Sequence, residues 1–155
     1  MRYWLFKSEP SAYSWERLQE EGRTAWTGVR NFQARNNMKE MKLGDLGFFY
    51  HSSIAQPAIV GIVKVVEEAH PDASAWQKAG EYYDPRSTEK KPLWYCVDVA
   101  PAAELPRPIT LAELRGVPEL AYMPLLQKGR RLSVQPVSPQ EWEAIAALAR
   151  KPLIA

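Results

Sequence analysis

Short runs of apolar residues, separated by turn-forming residues, follow one another along the chain. Runs rich in β-branched and aromatic residues are typical of strands. They predict five strands, at residues 2–7, 46–51, 58–67, 93–99 and 132–137. The third run is almost continuously apolar, so part of that strand is expected to be buried on both faces. A short polar loop separates it from the second run, which predicts a hairpin.

Capping signals place helices between these strands. Ser14 is the expected N-cap of a helix that Gly22 ends, and Thr110 with Glu113 matches a capping box. Ser138 is followed by proline, which indicates the start of a C-terminal helix over residues 139–150.

A further helix is predicted over residues 31–42, where apolar residues recur at helical spacing. Its apolar stripe consists of Ala34, Met38 and Met41. Strands interrupted by short helices predict an α+β fold, a small mixed β-barrel flanked by helices. At 155 residues the chain has the length of one domain, expected to span residues 1–155.

Composition narrows the class of protein. Hydrophobic residues make up 46% and charged residues 25%, as in ordinary soluble proteins. No apolar run is long enough to cross a membrane, so no membrane partner is expected. The single cysteine, Cys96, excludes an internal disulfide and predicts a reducing, cytoplasmic location. We expect a monomer.

Basic residues are concentrated in two parts of the chain although the net charge is only +2. Residues 23–42 carry five basic side chains against one acid, and residues 128–131 carry three without an acid. Such clusters are compatible with phosphate binding, and a solvated surface of mixed charge is the alternative. The candidate phosphate ligands are Arg30, Arg35, Lys39, Arg130 and Arg131.

Residues 24–38 combine a tryptophan, a glycine and many amide and guanidinium groups. Gly28 allows positive φ and close approach of a ligand to the backbone. Asn31 offers both a donor and an acceptor for the edge of a flat ring. Trp26 lies just before this turn, so we expect its ring at a pocket wall. The alternative is a buried core tryptophan.

Motifs for metal or cofactor binding are not found in the sequence. His51, His70 and Cys96 are widely separated and fit no metal-ligand spacing, so neither a metal nor a cofactor is expected. Ser52 beside His51 does not form a nucleophile-elbow motif. A hydrogen-bonded residue at a strand end is the favoured interpretation of His51.

Four ordered motifs resemble the EVE domain family of the PUA-like superfamily, over nearly the whole chain. They are Tyr-Trp-Leu-Phe-Lys-Ser-Glu-Pro at 3–10, Trp-Thr-Gly-Val-Arg-Asn at 26–31, Phe-Tyr-His-Ser at 49–52 and Arg-Leu-Ser-Val-Gln-Pro-Val at 131–137. The resemblance implies a PUA-like barrel similar to the YTH domains, which read methylated adenine in RNA. It also implies a non-catalytic function, the reading of a modified base in DNA or RNA.

The resemblance further implies a base-binding pocket. Its residues are Lys7, Ser8, Trp26, Thr27, Asn31, His51, Ser52 and Leu132. The residue that forms the second wall of the pocket is not determined by the motifs, and Leu132 and an aromatic such as Tyr50 are the candidates. Two alternative functions remain: a hydrolase of modified nucleosides that uses Lys7, His51 and a carboxylate, and a protein-binding module.

Overall fold

Six strands form one mixed sheet in the computed structural model, which describes residues 1–128 and 132–150. The strands are β1 (Tyr3–Ser8), β2 (Thr24–Ala25), β3 (Leu46–His51), β4 (Ala58–Pro71), β5 (Tyr95–Thr110) and β6 (Val134–Val137). Their order across the sheet is β2-β5-β4-β3-β1-β6. β1 and β3 are parallel and the other neighbours are antiparallel.

The predicted α+β class is confirmed, and the sheet is open rather than closed into a barrel. β2 and β6 form its two edges. β2 has two residues, too few to close a barrel, and β6 carries an exposed proline, Pro136. Proline cannot donate to a neighbouring strand, so it is found in edge strands.

Four α-helices connect or flank the strands. They are α1 (Trp15–Glu21), α2 (Phe32–Glu40), α3 (Leu111–Arg115) and α4 (Pro139–Arg150). The predicted caps are confirmed: Ser14 accepts a bond from the Arg17 backbone, Gly22 has φ 81°, and Thr110 forms the complete capping box. No described helix is long and apolar enough to cross a membrane.

Each face of the sheet covers a separate hydrophobic core. Successive side chains of a strand point to opposite faces. In β1, Trp4 and Phe6 therefore face the first core, and Leu5 faces the second. The first core also contains Ala34 and Met38 of α2, together with the C-cap residue Met41. The second contains Trp142, Ile145 and Ala149 of α4. The two helices thus lie on opposite sides of the sheet.

β4 and β5 are longer than the sequence predicts. β5 continues through three prolines to Thr110, beyond the predicted end of this strand at residue 99. Pairing survives because the register shifts: Gly61 pairs with Glu104 and Ile59 with Ile109. The extra residues of β5 between these pairs include two of the prolines, as in a β-bulge.

Candidate nucleic-acid interface

The carboxyl ends of the parallel strands β1 and β3 bring three of the predicted site residues together. Ser8 and His51 are partners in the register, and the Ser52 N–H donates to the Ser8 carbonyl at 3.0 Å. The Ser8 hydroxyl donates to the Tyr13 carbonyl at 2.6 Å, which holds the following loop against the strand end. Polar groups from both strands therefore lie together at the carboxyl ends of β1 and β3.

Trp26 joins these strand ends through aromatic contacts in the first core. Its ring lies 5.2 Å from the Phe6 ring and 5.6 Å from the Phe49 ring, both edge-to-face. Leu132 belongs to the same core. Only 8% of Trp26 is exposed, so the residue is part of the core and does not form a free pocket wall. Its indole N–H donates to none of the residues that the structure describes.

Tyr13 is an aromatic neighbour of Trp26 that the sequence did not predict. The two rings are 6.2 Å apart, edge-to-face, and the Tyr13 hydroxyl donates to the Glu21 carboxylate at 2.6 Å. Burial and this hydrogen bond raise the pKa of Tyr13 to about 12. Its position directly before the N-cap Ser14, where an apolar residue often packs back on its helix, was the available signal. Tyr50, in contrast, lies in the second core.

His51 is held by the first turn of α1. Its Nε2 accepts the backbone N–H of Trp15 at 3.1 Å, so the ring proton of the neutral form is assigned to Nδ1. Burial lowers the pKa of His51, and Glu16 opposes this shift. Nδ1 has no hydrogen-bond partner within residues 1–128 and 132–150. His51 therefore presents a neutral N–H donor at the carboxyl end of β3.

Lys7 lies on the other face of the sheet from Trp26. It is the register partner of Tyr50, whereas the next residue, Ser8, is the partner of His51. Burial lowers the pKa of Lys7, and no described residue forms a hydrogen bond or ion pair with its ammonium. The structure thus does not bring Lys7 and His51 together, as the hydrolase alternative requires.

The turn after Trp26 exposes two of the predicted contacts. Thr27 is exposed, and Gly28 has φ 84° with its N–H donating to Asp72 at 2.9 Å. Asn31 is exposed but caps α2, because its Oδ1 accepts the Ala34 N–H at 2.9 Å. Its amide NH₂ has no partner in the described part of the chain, so one half of the side chain is available to a ligand.

Arg30 was predicted to bind phosphate, and the structure gives it a different task. Its five N–H groups are all engaged within the protein. They donate to the carbonyls of Val29 and Tyr82, the Asp72 carboxylate and the Ser74 hydroxyl. A phosphate could bind Arg30 only if some of these bonds broke. Through these hydrogen bonds, Arg30 links the loop after β4 to the turn at Gly28.

The other predicted phosphate ligands divide into two groups. Arg35 donates to the Leu93 carbonyl at 3.0 Å and to Asn36. The exposed Lys39 ammonium lies 4.6 Å from the Tyr95 ring centroid. The two residues are four positions apart in α2 and therefore project from the same side of that helix. Arg130 and Arg131 lie outside the described residues.

His70 and Cys96, far apart in sequence, are neighbours in space because β4 and β5 pair them. The His70 Nε2 lies 2.8 Å from Asp98 and 3.6 Å from Glu67, a group of possible metal ligands. The Arg23 guanidinium already contacts both carboxylates, at 2.7 Å and 3.5 Å, and supplies the positive charge there. Burial, with nearby carboxylates, raises the pKa of Cys96 to about 12.

Two shallow surface pockets lie away from Trp26 and from the ends of β1 and β3. One, of about 270 Å³, lies between residues 55–57 and α3. The other, of about 350 Å³, lies beside the start of β1 and the end of β6. Neither is lined by Trp26, Asn31 or His51.

Comparisons with known proteins place this geometry in a family. The family model described as the EVE domain matches residues 2–148. The chain belongs to the EVE domain family. Human thymocyte nuclear protein 1 is 39% identical over 96% of this chain and 74% of its own length. A crystal structure of a Pseudomonas putida protein has a TM-score of 0.92 and 46% identity, covering 95% of this chain and 99% of its own.

A second solved structure bears on the ligand. It is human THYN1 in complex with DNA that contains 5-methylcytosine. Its TM-score is 0.92 at 39% identity, and the match covers 99% of this chain and all of that one.

The expected cytoplasmic location is corrected by these relatives. The human, mouse and rat proteins are all named as nuclear proteins. A lone cysteine indicates reducing surroundings, and these are common to nucleus and cytosol. The cysteine count therefore could not separate the two compartments.

Proposed function

We propose that this EVE domain is a non-catalytic reader of a modified cytosine in DNA. The observation that carries the proposal is the likeness to human THYN1, which has been solved in complex with 5-methylcytosine DNA. The match covers 99% of this chain and all of the human one at 39% identity, so the two proteins share the fold that carries the ends of β1 and β3.

Two unpaired donor groups, one at the end of β3 and one at the start of α2, support this proposal. A base taken out of its stack is read through hydrogen bonds to its Watson–Crick edge. That edge of cytosine offers acceptors, and His51 Nδ1–H and the Asn31 NH₂ are unused donors. We assign these two groups to the base edge, with Ser8, Thr27 and Ser52 around them.

Apolar contact with the modification is assigned to the rim of the first core. Trp26 and Leu132 are 8% and 4% exposed, so each offers only a small apolar surface to a ligand. A methyl group requires only a small apolar surface, and burying one contributes about 0.8 kcal/mol. Lys7 is omitted from this inner group because it faces the second core.

The test compares two oligonucleotides that differ by one 5-methyl group on a single cytosine. Fluorescence anisotropy should give tighter binding of the methylated strand. Asn31→Ser keeps a capping oxygen but removes the amide donors, whereas Asn31→Ala removes both functions. Asn31→Ser should weaken binding with little loss of stability. Equal affinity of the wild-type protein for both strands would refute the proposal.

Phosphate contacts are assigned to Arg35 and Lys39. Arg35→Gln and Lys39→Gln should each weaken methylated and plain strands alike, since phosphate contacts position rather than specify. Each should also reduce the salt slope of binding by about one unit. Arg150→Gln removes the same charge from α4 on the opposite side of the sheet and is the control. If Arg150→Gln lowered the affinity and the salt slope by the same amounts, the assignment of phosphate contacts to Arg35 and Lys39 would be refuted.

A further inference from the structure

An exposed aromatic ring begins helix α2. Phe32 is the first residue of the helix and is 48% exposed. Its ring is stacked on Trp94, with centroids 4.8 Å apart and planes inclined by 21°. Trp94 is itself buried and donates its indole N–H to Asp84 at 2.7 Å. Trp94 therefore supports the Phe32 ring on one side, and the ring remains exposed although the Arg35 guanidinium lies over it.

A second exposed ring, Tyr82, is fixed on the other side of Arg30. The Arg30 guanidinium carbon lies 5.4 Å from the Trp94 ring and 5.6 Å from the Tyr82 ring. Arg30 also donates twice to the Tyr82 carbonyl, at 2.7 Å and 3.1 Å. The Tyr82 ring lies against Gly28, where an added Cβ would be 2.7 Å from its carbons. Tyr82 is nevertheless 37% exposed.

We use the name stacking platform for Phe32 and Tyr82, together with Trp94 and Arg30 between them. The platform begins with Arg30, four residues after Trp26, so it lies close along the chain to the site assigned to the modified base. Rings that are ordered before binding lose little conformational freedom when a ligand stacks on them. Both rings are held in place but leave much of their apolar surface exposed to solvent, an arrangement suited to stacking with a ligand.

The charge around the stacking platform is suited to a nucleic acid. The Arg35 guanidinium carbon lies 4.9 Å from the Phe32 ring centroid, and Lys39 follows one turn later. Two of the nearby carboxylates are paired with arginines: Asp72 with Arg30, and Asp84 with Arg86. Aromatic faces interleaved with cations are the features that bind single strands, with the bases stacked on the rings.

We propose that the stacking platform holds the unstacked nucleotides next to the modified base. This inference rests on the proposed function, since taking one base out of its stack also removes a stacking partner from its neighbours. Phe32 and Tyr82 would replace those lost partners. Because every base has a stacking face, the platform should be tolerant of flanking sequence.

The test uses single-stranded oligonucleotides with one 5-methylcytosine, flanked either by normal nucleotides or by abasic sites. Phe32→Ala should weaken binding of the normal strand by roughly five-fold or more, the low end for an aromatic that stacks one base. It should have little effect on the strand with abasic flanks. Tyr122→Ala, which removes a 91% exposed tyrosine on the side of the second core, is the control and should change neither affinity.

Three outcomes separate the possibilities. Loss of affinity by Phe32→Ala only where flanking bases are present supports the platform. Unchanged affinity, or an equal loss on abasic flanks, overturns it. The ratio of affinities for methylated and plain cytosine is read in the same assay and should persist in Phe32→Ala. If wild type shows no such ratio, the proposed function fails, while the comparison of flanks still decides the platform.

Discussion

Arg30 and Asp72 form an ion pair of 3.0 Å between the Gly28 turn and the loop after β4. The Asp72 side chain is fully buried, and 22% of the Arg30 side chain is exposed. The same Asp72 oxygen accepts the Gly28 N–H at 2.9 Å. This pair therefore fixes the backbone that carries Thr27 and Asn31, and it holds Tyr82 in the stacking platform.

Asp72→Asn should destabilise the protein strongly. Removing one partner of a buried ion pair leaves the other charge uncompensated, which costs about 3–5 kcal/mol. Glu40→Gln breaks the exposed Arg2–Glu40 pair and is the matched control, expected to cost no more than about 1 kcal/mol. Urea unfolding measures both. Similar midpoints for the two variants would contradict a structural role for the Arg30–Asp72 pair.

The same pair should make the protein sensitive to acid. Burial favours a higher pKa for Asp72, but hydrogen bonds from Ser74, Gly28 and Arg30 hold its pKa below the usual range. A depressed pKa in the folded state means that stability is present above the unfolded pKa and is lost as pH falls through the folded pKa. Asp72→Asn should therefore lose less stability than the wild type between neutral pH and acid.

Gly28→Ala and Gly22→Ala form a matched pair for the turn after Trp26. Both glycines have positive φ, 84° and 81°. An added methyl group meets nothing within 4 Å at Gly22, whereas at Gly28 it collides with the Tyr82 ring at 2.7 Å. Gly22→Ala should cost about 1 kcal/mol from backbone strain alone.

Gly28→Ala should cost more, because the Tyr82 ring must move as well, and DNA binding should weaken with it. Thermal unfolding and anisotropy on the two variants give both quantities. If Gly28→Ala destabilised the protein no more than Gly22→Ala, the close approach of Tyr82 to Gly28 would not contribute to the loss of stability.

Much of the fold follows from local signals in the sequence. Ser14, Gly22 and the Thr110–Glu113 box determine helix ends through bonds made within a few residues, and such signals can be recognised without a structure. Apolar runs likewise place the strands. The extension of β5 was missed because its prolines argue against pairing, and only register shifts against β4 make the pairing possible.

The site was harder to predict because it depends on register and on distant partners. Lys7 and Ser8 are adjacent in a motif, yet a strand sends them to opposite faces. Arg30 has the composition of a phosphate ligand, but its partners Asp72 and Tyr82 are 42 and 52 residues away. His70 and Cys96 meet only through the pairing of β4 with β5.

His51 should contribute a pH dependence of its own. Burial lowers its pKa in the folded protein, so the unfolded chain binds a proton first as pH falls below about 6.5. Stability from neutral His51 is therefore present above that pH and is lost as pH falls toward the lower folded pKa. His51→Gln removes the titration while a carboxamide oxygen can still accept the Trp15 N–H.

The measurement for His51 is the free energy of unfolding at pH 7 and pH 5. The wild type should lose more stability across this interval than His51→Gln, and the difference reports His51 alone because His70 is present in both. Equal losses would mean that His51 titrates normally and that its Nε2 is not held as an acceptor.

Trp26 can be separated from an ordinary core tryptophan by comparison with Trp142. The two residues are 8% and 7% exposed, but Trp26 lies in the first core and Trp142 in the second, stacked on Phe48 at 4.0 Å. Truncation of either to alanine should cost about 3–5 kcal/mol, since a large cavity remains. The expectation that Trp26 stands outside the core was therefore wrong, and its loss should lower the melting temperature.

Trp26→Phe and Trp142→Phe keep an aromatic ring in each core and allow binding to be measured on folded protein. Both should lower the melting temperature by several degrees, because each leaves a smaller cavity. Only Trp26→Phe should reduce the affinity ratio between methylated and plain cytosine, because only Trp26 packs on Phe6 and Phe49 near the ends of β1 and β3. Equal effects of both variants on that ratio would show that Trp26 acts on binding only through overall stability.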